Sequence, residues 1–443
     1  MLITDMRTIG LETFLPCTTL LSVFFDMKYS NAKLGLTFRL KYTKVLCLKS
    51  IFIFLISSCS HGAIEENNDN LTITADSVSS KIKVGAENSN AYVPLILNKS
   101  VGIVGNQTTM IGDTHLVDSL LDLGVNVSRV FSPEHGFRGD ADAGERVGNS
   151  KDIKTGLEVV SLYGKNKKPQ KDQLNGIEIM LFDIQDVGVR FYTYISTLHY
   201  VMEACAENKI PLIVLDRPNP NGHYVDGPVL DKNFTSFVGM HPIPIVHGMT
   251  IGEYATMING EGWLKNGIKC DLDVVLCTNY SRDMPYSLPI PPSPNLRSDV
   301  AINLYPSLCL LEATTVSVGR GTEHPFERYG HPDFPITGFS FTPVPGYGSK
   351  SPKHKQKLCN GYEFSASNYV LKDKLDLSFV LNSYKLLKDK LFKEHQESFN
   401  LLAGNKELMQ QIKSGKTEDE IRKSWEKGLE QFNLVRRNYL LYE

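Results

Sequence analysis

The stretch IEIMLFDIQDVGVRFYTYISTLHYVMEACAENKIPLIVL, residues 177–215, decides the fold class. Residues 177–182 form a greasy run that reads as a strand. An amphipathic segment over 193–208 reads as a helix and stops before Pro211. Residues 212–215 then supply a strand apolar on both faces, the pattern of a parallel sheet covered by helices. Working outward, residues 101–104, 127–131 and 159–162 read as earlier strands. A helix is expected over 114–123, with Asp113 as its cap and Gly124 past its end. Thr250 and Glu253 make a capping box opening a helix to about residue 259, and residues 272–276 read as another strand. This alternation predicts an α/β fold with a doubly wound N-terminal domain.

In such sheets ligands sit beyond the carboxyl ends of the strands. Polar motifs stand at those places: SPEHG at 132–136, DIQD at 183–186 and DRPN at 216–219. The Pro-rich segment LPIPPSP at 288–294 marks a boundary. Residues 92–290 are the expected catalytic domain and 291–443 a smaller α+β domain. The latter carries a Gly-rich motif at 314–330 and a last helix capped by Thr417 and Glu420, reaching about residue 439.

The N-terminus reads as an address. Lys41, Lys44 and Lys49 precede the apolar run 51–56 and then Ser57-Ser58-Cys59. That is the pattern of a secretory signal, with a run too short to span a bilayer. The same residues resemble a bacterial lipobox, so lipidation at Cys59 is expected. Residues 1–58 are the signal segment, and 59–91, polar at the start, a flexible tether. The expectation is an exported bacterial lipoprotein, periplasmic or anchored to the outer membrane, touching membrane only through that lipid.

The 443 residues are 42% hydrophobic and 22% charged, ordinary for a globular chain. The 47 basic and 49 acidic side chains nearly balance, which argues against a nucleic-acid partner. The cysteines form no C-x-x-C pair and read as mostly buried thiols. No G-x-G-x-x-G follows the first strand, and there is no Walker loop and no G-x-S-x-G elbow. No cluster has metal-ligand spacing, so neither a cofactor nor a metal is expected.

The carboxylates carry the chemistry. Glu134, flanked by Pro133 and followed by His135 and Gly136, stands rigidly at a strand end; a turn-forming role is the alternative. Asp183, Gln185, Asp186, Arg190, Tyr192 and Tyr194 crowd into thirteen residues after a greasy strand, where polar groups need partners or a ligand. An internal Asp–Arg salt bridge is the alternative there. Asp216, Arg217 and Asn219 form a similar cluster that is also a simple turn former. In the second domain Glu312, Arg320, Glu323 and Arg328 stand together, with Arg320 presented between glycines; a structural arginine bonding backbone carbonyls is the alternative. Trp263 and Trp425 suit either a core or sugar stacking.

Six ordered motifs together resemble the exo-β-N-acetylmuramidase (NamZ-like) family: PEHGFRG (133–139), FDIQDVGVRFYTYISTL (182–198), LDRPNPNG (215–222), VHGMTIGEYA (246–255), PPSPN (291–295) and VSVGRGTEHPFERYG (316–330). The resemblance runs from about Val101 to the C-terminus. It implies a Rossmann-like N-terminal domain, an active cleft between the two domains, and release of terminal MurNAc from the non-reducing end of peptidoglycan fragments. Ala313 and Thr315 depart from the expected Gly and Asn, and His223 from a second Gly; these touch substrate fit.

Within that resemblance Glu134 is the best catalytic residue. The second group stays open: Asp183 or Asp186 as base or nucleophile, the substrate's own acetamido group, or Tyr192 or Tyr194. His135, Gln185, Tyr192, Asp216, Arg217, Asn219 and Glu323 are expected to bind substrate. MurNAc carries a lactyl carboxylate, and Arg190 and Arg320 are the residues expected to read it. A non-catalytic muropeptide-binding lipoprotein and a different hydrolase on the same scaffold are the competing functions.

Overall fold

The structure is a computed structural model that describes residues 81–139, 148–364 and 369–443. The signal segment, the lipidation site Cys59 and the tether as far as residue 80 lie outside the described residues. The described residues begin inside the expected tether. Lys83 pairs with Thr278, a short 3-10 turn follows, and helix α1 spans Ser89–Ile96. The correction has a plain cause: Val84, Ala86, Tyr92 and Ile96 are buried, so this segment is core despite its polar neighbours.

Among the described residues twelve strands follow in chain order: β1 Val101–Gly105, β2 Met110–Ile111, β3 Thr114–His115, β4 Val127–Ser132, β5 Ser150–Lys151, β6 Glu158–Ser161, β7 Ile179–Asp183, β8 Leu212–Leu215, β9 Leu272–Val275, β10 Arg328–His331, β11 Phe339–Phe341 and β12 Cys359–Glu363. Seven of them form one sheet in the order β5-β6-β4-β1-β7-β8-β9. All its pairings are parallel except that of the short edge strand β5. The strand order reverses between β1 and β7. A separate three-stranded antiparallel sheet, β10-β12-β11, lies in the second half of the chain.

Side chains alternate across the parallel strands and sort into two cores. Ile103, Leu181, Ile213 and Leu215 face the core built with α1 and with helix α2, Leu116–Asp122. Val104, Phe131, Phe182 and Val214 face the other, built with helices α3, Tyr194–Asn208, and α4, Ile251–Gly260. Covering on both faces is what makes these strands read as continuous apolar runs. The second core extends without a break into helices α5 (Asp299–Glu312), α6 (Ser378–Leu387) and α7 (Gln396–Ala403).

Two helix ends differ from expectation. Helix α2 starts at Leu116, because the small hairpin β2–β3 occupies Thr114 and His115; His115, not Asp113, caps it by accepting from the Val117 amide. The last helix is broken into Glu418–Lys423 and Glu426–Arg436, where Trp425 turns into the core. Among the described residues no helix is long and apolar enough to cross a membrane.

Candidate active site

The loop after β4 carries Pro133, Glu134, His135 and Gly136. His135 has φ 75° and Gly136 φ 79°, two successive left-handed residues that bend the chain sharply. For a histidine this costs on the order of 1–3 kcal/mol and persists only where the surroundings enforce it. They do so through the next two residues. Phe137 is buried edge-to-face against His115, with ring centroids 4.7 Å apart. Arg138 spreads its guanidinium over two carboxylates, reaching Asp152 at 3.0 and 2.8 Å and Asp118 at 3.2 and 3.0 Å. The Arg138 hydrogen bond is the main reason that the Asp152 carboxyl falls to about 2, against its burial.

Half-buried Glu134 and buried His135 border a cavity of about 420 Å³, a volume suited to a small-molecule ligand. Phe191, Tyr192 and Tyr194 line it from beyond β7, Ser293 from the Pro-rich segment, and Tyr305, Glu312, Arg320 and Phe326 from beyond residue 300. Helix α7 adds Ser398, Leu401 and Leu402. Tyr192 and Tyr194 both donate to the Pro292 carbonyl, at 2.8 and 3.1 Å, so their rings face the cavity while their protons are committed. Tyr163, just past β6, hydrogen-bonds the Glu134 side chain.

Arg320 holds Glu312 through Nε at 2.5 Å and Nη2 at 2.8 Å, and its guanidinium lies 5.1 Å from the Phe326 ring. Its Nη1 has no protein partner. Burial works against the Glu312 charge, but Arg320 and then Lys353 outweigh it and leave that carboxyl below its ordinary value. Gly319 and Gly321, at φ 79° and 78°, supply the left-handed backbone that turns Arg320 to the cavity.

The other expected residues lie elsewhere. Arg190 has no exposed surface. It donates to the carbonyls of Pro228 and Ile243 at 2.8 Å and of Leu402 and Ala403 at 2.9 and 2.8 Å, its Nε is buried without a partner, and it does not line the Glu134 cavity, so it is not placed to read a lactyl group. Asp183 is fully buried in a bidentate pair with Arg217, at 2.6 and 2.8 Å. It has no exposed surface and does not line the Glu134 cavity, so it is not placed to act there as base or nucleophile. Arg217 borders a different cavity, with Met110 and Tyr286. Asp186 accepts from the Gly188 amide at 2.7 Å and is raised by burial to about 7, but it does not line the Glu134 cavity. Gln185 is turned to the Asp186 and Pro218 carbonyls.

Asp216 accepts from Thr250, the Gly252 amide and Tyr442, all at 2.7 Å, anchoring the start of α4. Asn219 braces the turn to Asn221 and Met249. Glu323 is exposed and borders no part of the cavity. Trp263 stacks on His241 and Trp425 is buried, so both pack against the core. The five described cysteines are free buried thiols. Glu312 was noted in the sequence only as part of its motif, and Tyr163, Tyr305 and the α7 residues carry no local signal of a site.

Residues 101–300 match the family described as exo-β-N-acetylmuramidase NamZ, N-terminal, and residues 303–442 its C-terminal counterpart. The chain is 39% identical over 424 residues to the peptidoglycan β-N-acetylmuramidase NamZ of Bacillus subtilis (strain 168), covering 89% of this chain and 100% of that protein. Crystal structures of two DUF1343 family proteins of Bacteroides fragilis superpose with TM-scores of 0.75 and 0.70 at 45% and 29% identity. In both cases 82% of this chain and 99% of the other are covered. Matched over residues 101–300 and 303–442, the chain belongs to the NamZ exo-β-N-acetylmuramidase family.

Proposed function

We propose that the protein is an exo-acting glycoside hydrolase that releases terminal MurNAc from the non-reducing end of peptidoglycan fragments such as MurNAc–GlcNAc. The observation that carries this is Glu134, held by a strained and pinned loop at the edge of a ligand-sized cavity, in a chain of this family. The parallel strands run 3-2-1-4-5-6 in chain order, which supports a Rossmann-like doubly wound domain. Residues from before 240 and after 290 share the cavity lining, which supports an active cleft between two domains.

Glu134 acts as general acid, passing its proton to the glycosidic oxygen as the bond to the anomeric carbon breaks. Glu134 and Glu312 are the carboxylates among the described lining residues, and Glu312 is engaged by Arg320. The geometry therefore favours the substrate's own 2-acetamido oxygen as the internal nucleophile, with water opening the resulting ring. Arg320 reads the lactyl carboxylate through Nη1, as a charge-assisted donor whose other arms are fixed by Glu312. The apolar wall of Leu401 and Leu402 suits the lactyl methyl group. Export and a lipid anchor at Cys59 belong to the same reading, and labelled-fatty-acid incorporation that Cys59→Ala abolishes is the expected check.

The deciding experiment incubates the chain from residue 60 onward with MurNAc–GlcNAc, with GlcNAc–GlcNAc as the control sugar and Glu134→Gln as the control variant. Free MurNAc from the first sugar alone, lost in the variant and indifferent to a chelator, is the expected result. Binding without release by the folded wild type points instead to a muropeptide-binding protein.

A further inference from the structure

Parallel pairing of β4 and β6 runs to the carboxyl ends of both strands. Val130 faces Val159, Phe131 faces Val160 and Ser132 faces Ser161, and the Leu162 amide still donates to the Ser132 carbonyl at 2.8 Å. Glu134 and Tyr163 each lie two residues beyond the last register pair, so the sheet itself brings them side by side. Gly164, at φ 81°, turns the chain away immediately after the tyrosine. The Tyr163 phenol hydrogen-bonds the Glu134 carboxyl. Tyr194 also feels the Glu134 charge, but its hydroxyl donates to Pro292.

We propose that Tyr163 is a positioning residue for Glu134, holding one carboxyl oxygen so that the other presents its proton to the glycosidic oxygen. This rests on Glu134 as the general acid. As the bond to the anomeric carbon breaks, its electron pair goes to the leaving oxygen and the proton moves there from Glu134. The carboxylate left behind accepts the Tyr163 O–H more strongly than the neutral acid did, so the contact stabilises charge that develops in the transition state. Tyr163 itself keeps its proton throughout. Burial first, then the Glu134 charge and their hydrogen bond, push its phenol up to about 12, so it remains a donor at neutral pH.

The test is Tyr163→Phe, which keeps the ring and removes only the hydroxyl. On MurNAc–GlcNAc the expected loss in kcat is about 10–100-fold, the range for a hydrogen bond to a charged group, with KM nearly unchanged. The basic limb of the kcat/KM profile moves to higher pH, because a carboxylate that loses a donor is a weaker acid. With an activated nitrophenyl leaving group, which needs little protonation, the defect shrinks to a few-fold. A purely structural tyrosine would slow both substrates alike and leave the limb where it was. That result, or wild-type kcat and an unmoved limb, overturns the proposal. Glu134→Gln, run alongside, separates the two levels: an inactive Glu134→Gln beside an unaffected Tyr163→Phe removes Tyr163 alone, whereas an active Glu134→Gln removes the general-acid reading beneath it.

Discussion

Arg190 and Arg320 carry the same guanidinium into opposite surroundings. Arg190 is a staple: it closes the carboxyl end of α7 and ties it to the segment around residues 228–243. Burial alone draws it down to about 9, and four carbonyl oxygens compensate its charge. Arg190→Met leaves those carbonyls unpaired in the core, so urea unfolding is expected to show a loss of about 3–5 kcal/mol. Arg320 borders the cavity and leaves Nη1 without a protein partner. Arg320→Lys retains the charge without the fork and is expected to raise KM for MurNAc–GlcNAc about 10-fold, with kcat much less affected, in steady-state assays. The sequence distinguishes the two poorly. Glycines on both sides of Arg320 mark a presented side chain, whereas Arg190's partners lie 38 to 213 residues away.

At the scale of elements, the loop after β4 is held by electrostatics from neighbouring elements. Asp118 belongs to α2 and Asp152 follows β5, and both converge on Arg138. Asp152 has its folded pKa depressed from 3.8 to about 2. Its contribution is therefore complete above the ordinary aspartate range and disappears as pH falls through about 2. Asp152→Asn is expected to cost about 2 kcal/mol near pH 6, with the gap to wild type closing toward pH 2, in denaturant titrations at several pH values. A disturbed loop also misplaces Glu134, so activity should fall with it. Strands and capped helices were legible here because their signals are local: the Thr250 and Glu253 capping box sits where it was expected. The helix start at Leu116 was not, because Asp113 offers a plausible cap and only the β2–β3 pairing moves the boundary.

At the scale of the whole molecule, one core joins the parallel sheet to the C-terminal helices, and the last residues return to the sheet. Tyr442 donates to Asp216, while Glu253 accepts from the Leu441 amide and pairs with Arg282. Burial raises Asp216 to about 6, opposed first by the Tyr442 hydrogen bond. A raised carboxyl favours the folded state at low pH, and that contribution is lost as pH climbs from 3.8 through about 6. Tyr442→Phe removes a donor and raises the carboxyl further. Its Tm deficit is thus expected to be larger at pH 8 than at pH 5. The shared core predicts a single calorimetric transition for residues 81–443, not one for each half.

The sequence by itself determined the alternation of strands and helices, the polar motifs at the strand ends and, through six ordered motifs, the family. Those signals reside in short runs of chain, in apolar periodicity, capping residues and glycines. Only the tertiary structure decided which of the strand-end acids meets the cavity. Glu134, Asp183 and Asp216 look alike in sequence, each polar after an apolar strand. Sheet order sets Arg217 against Asp183, the chain terminus covers Asp216, and β6 brings Tyr163 to Glu134. A buried charge takes its role from the partner that neutralises it, and that partner comes from distant chain that packing alone brings near.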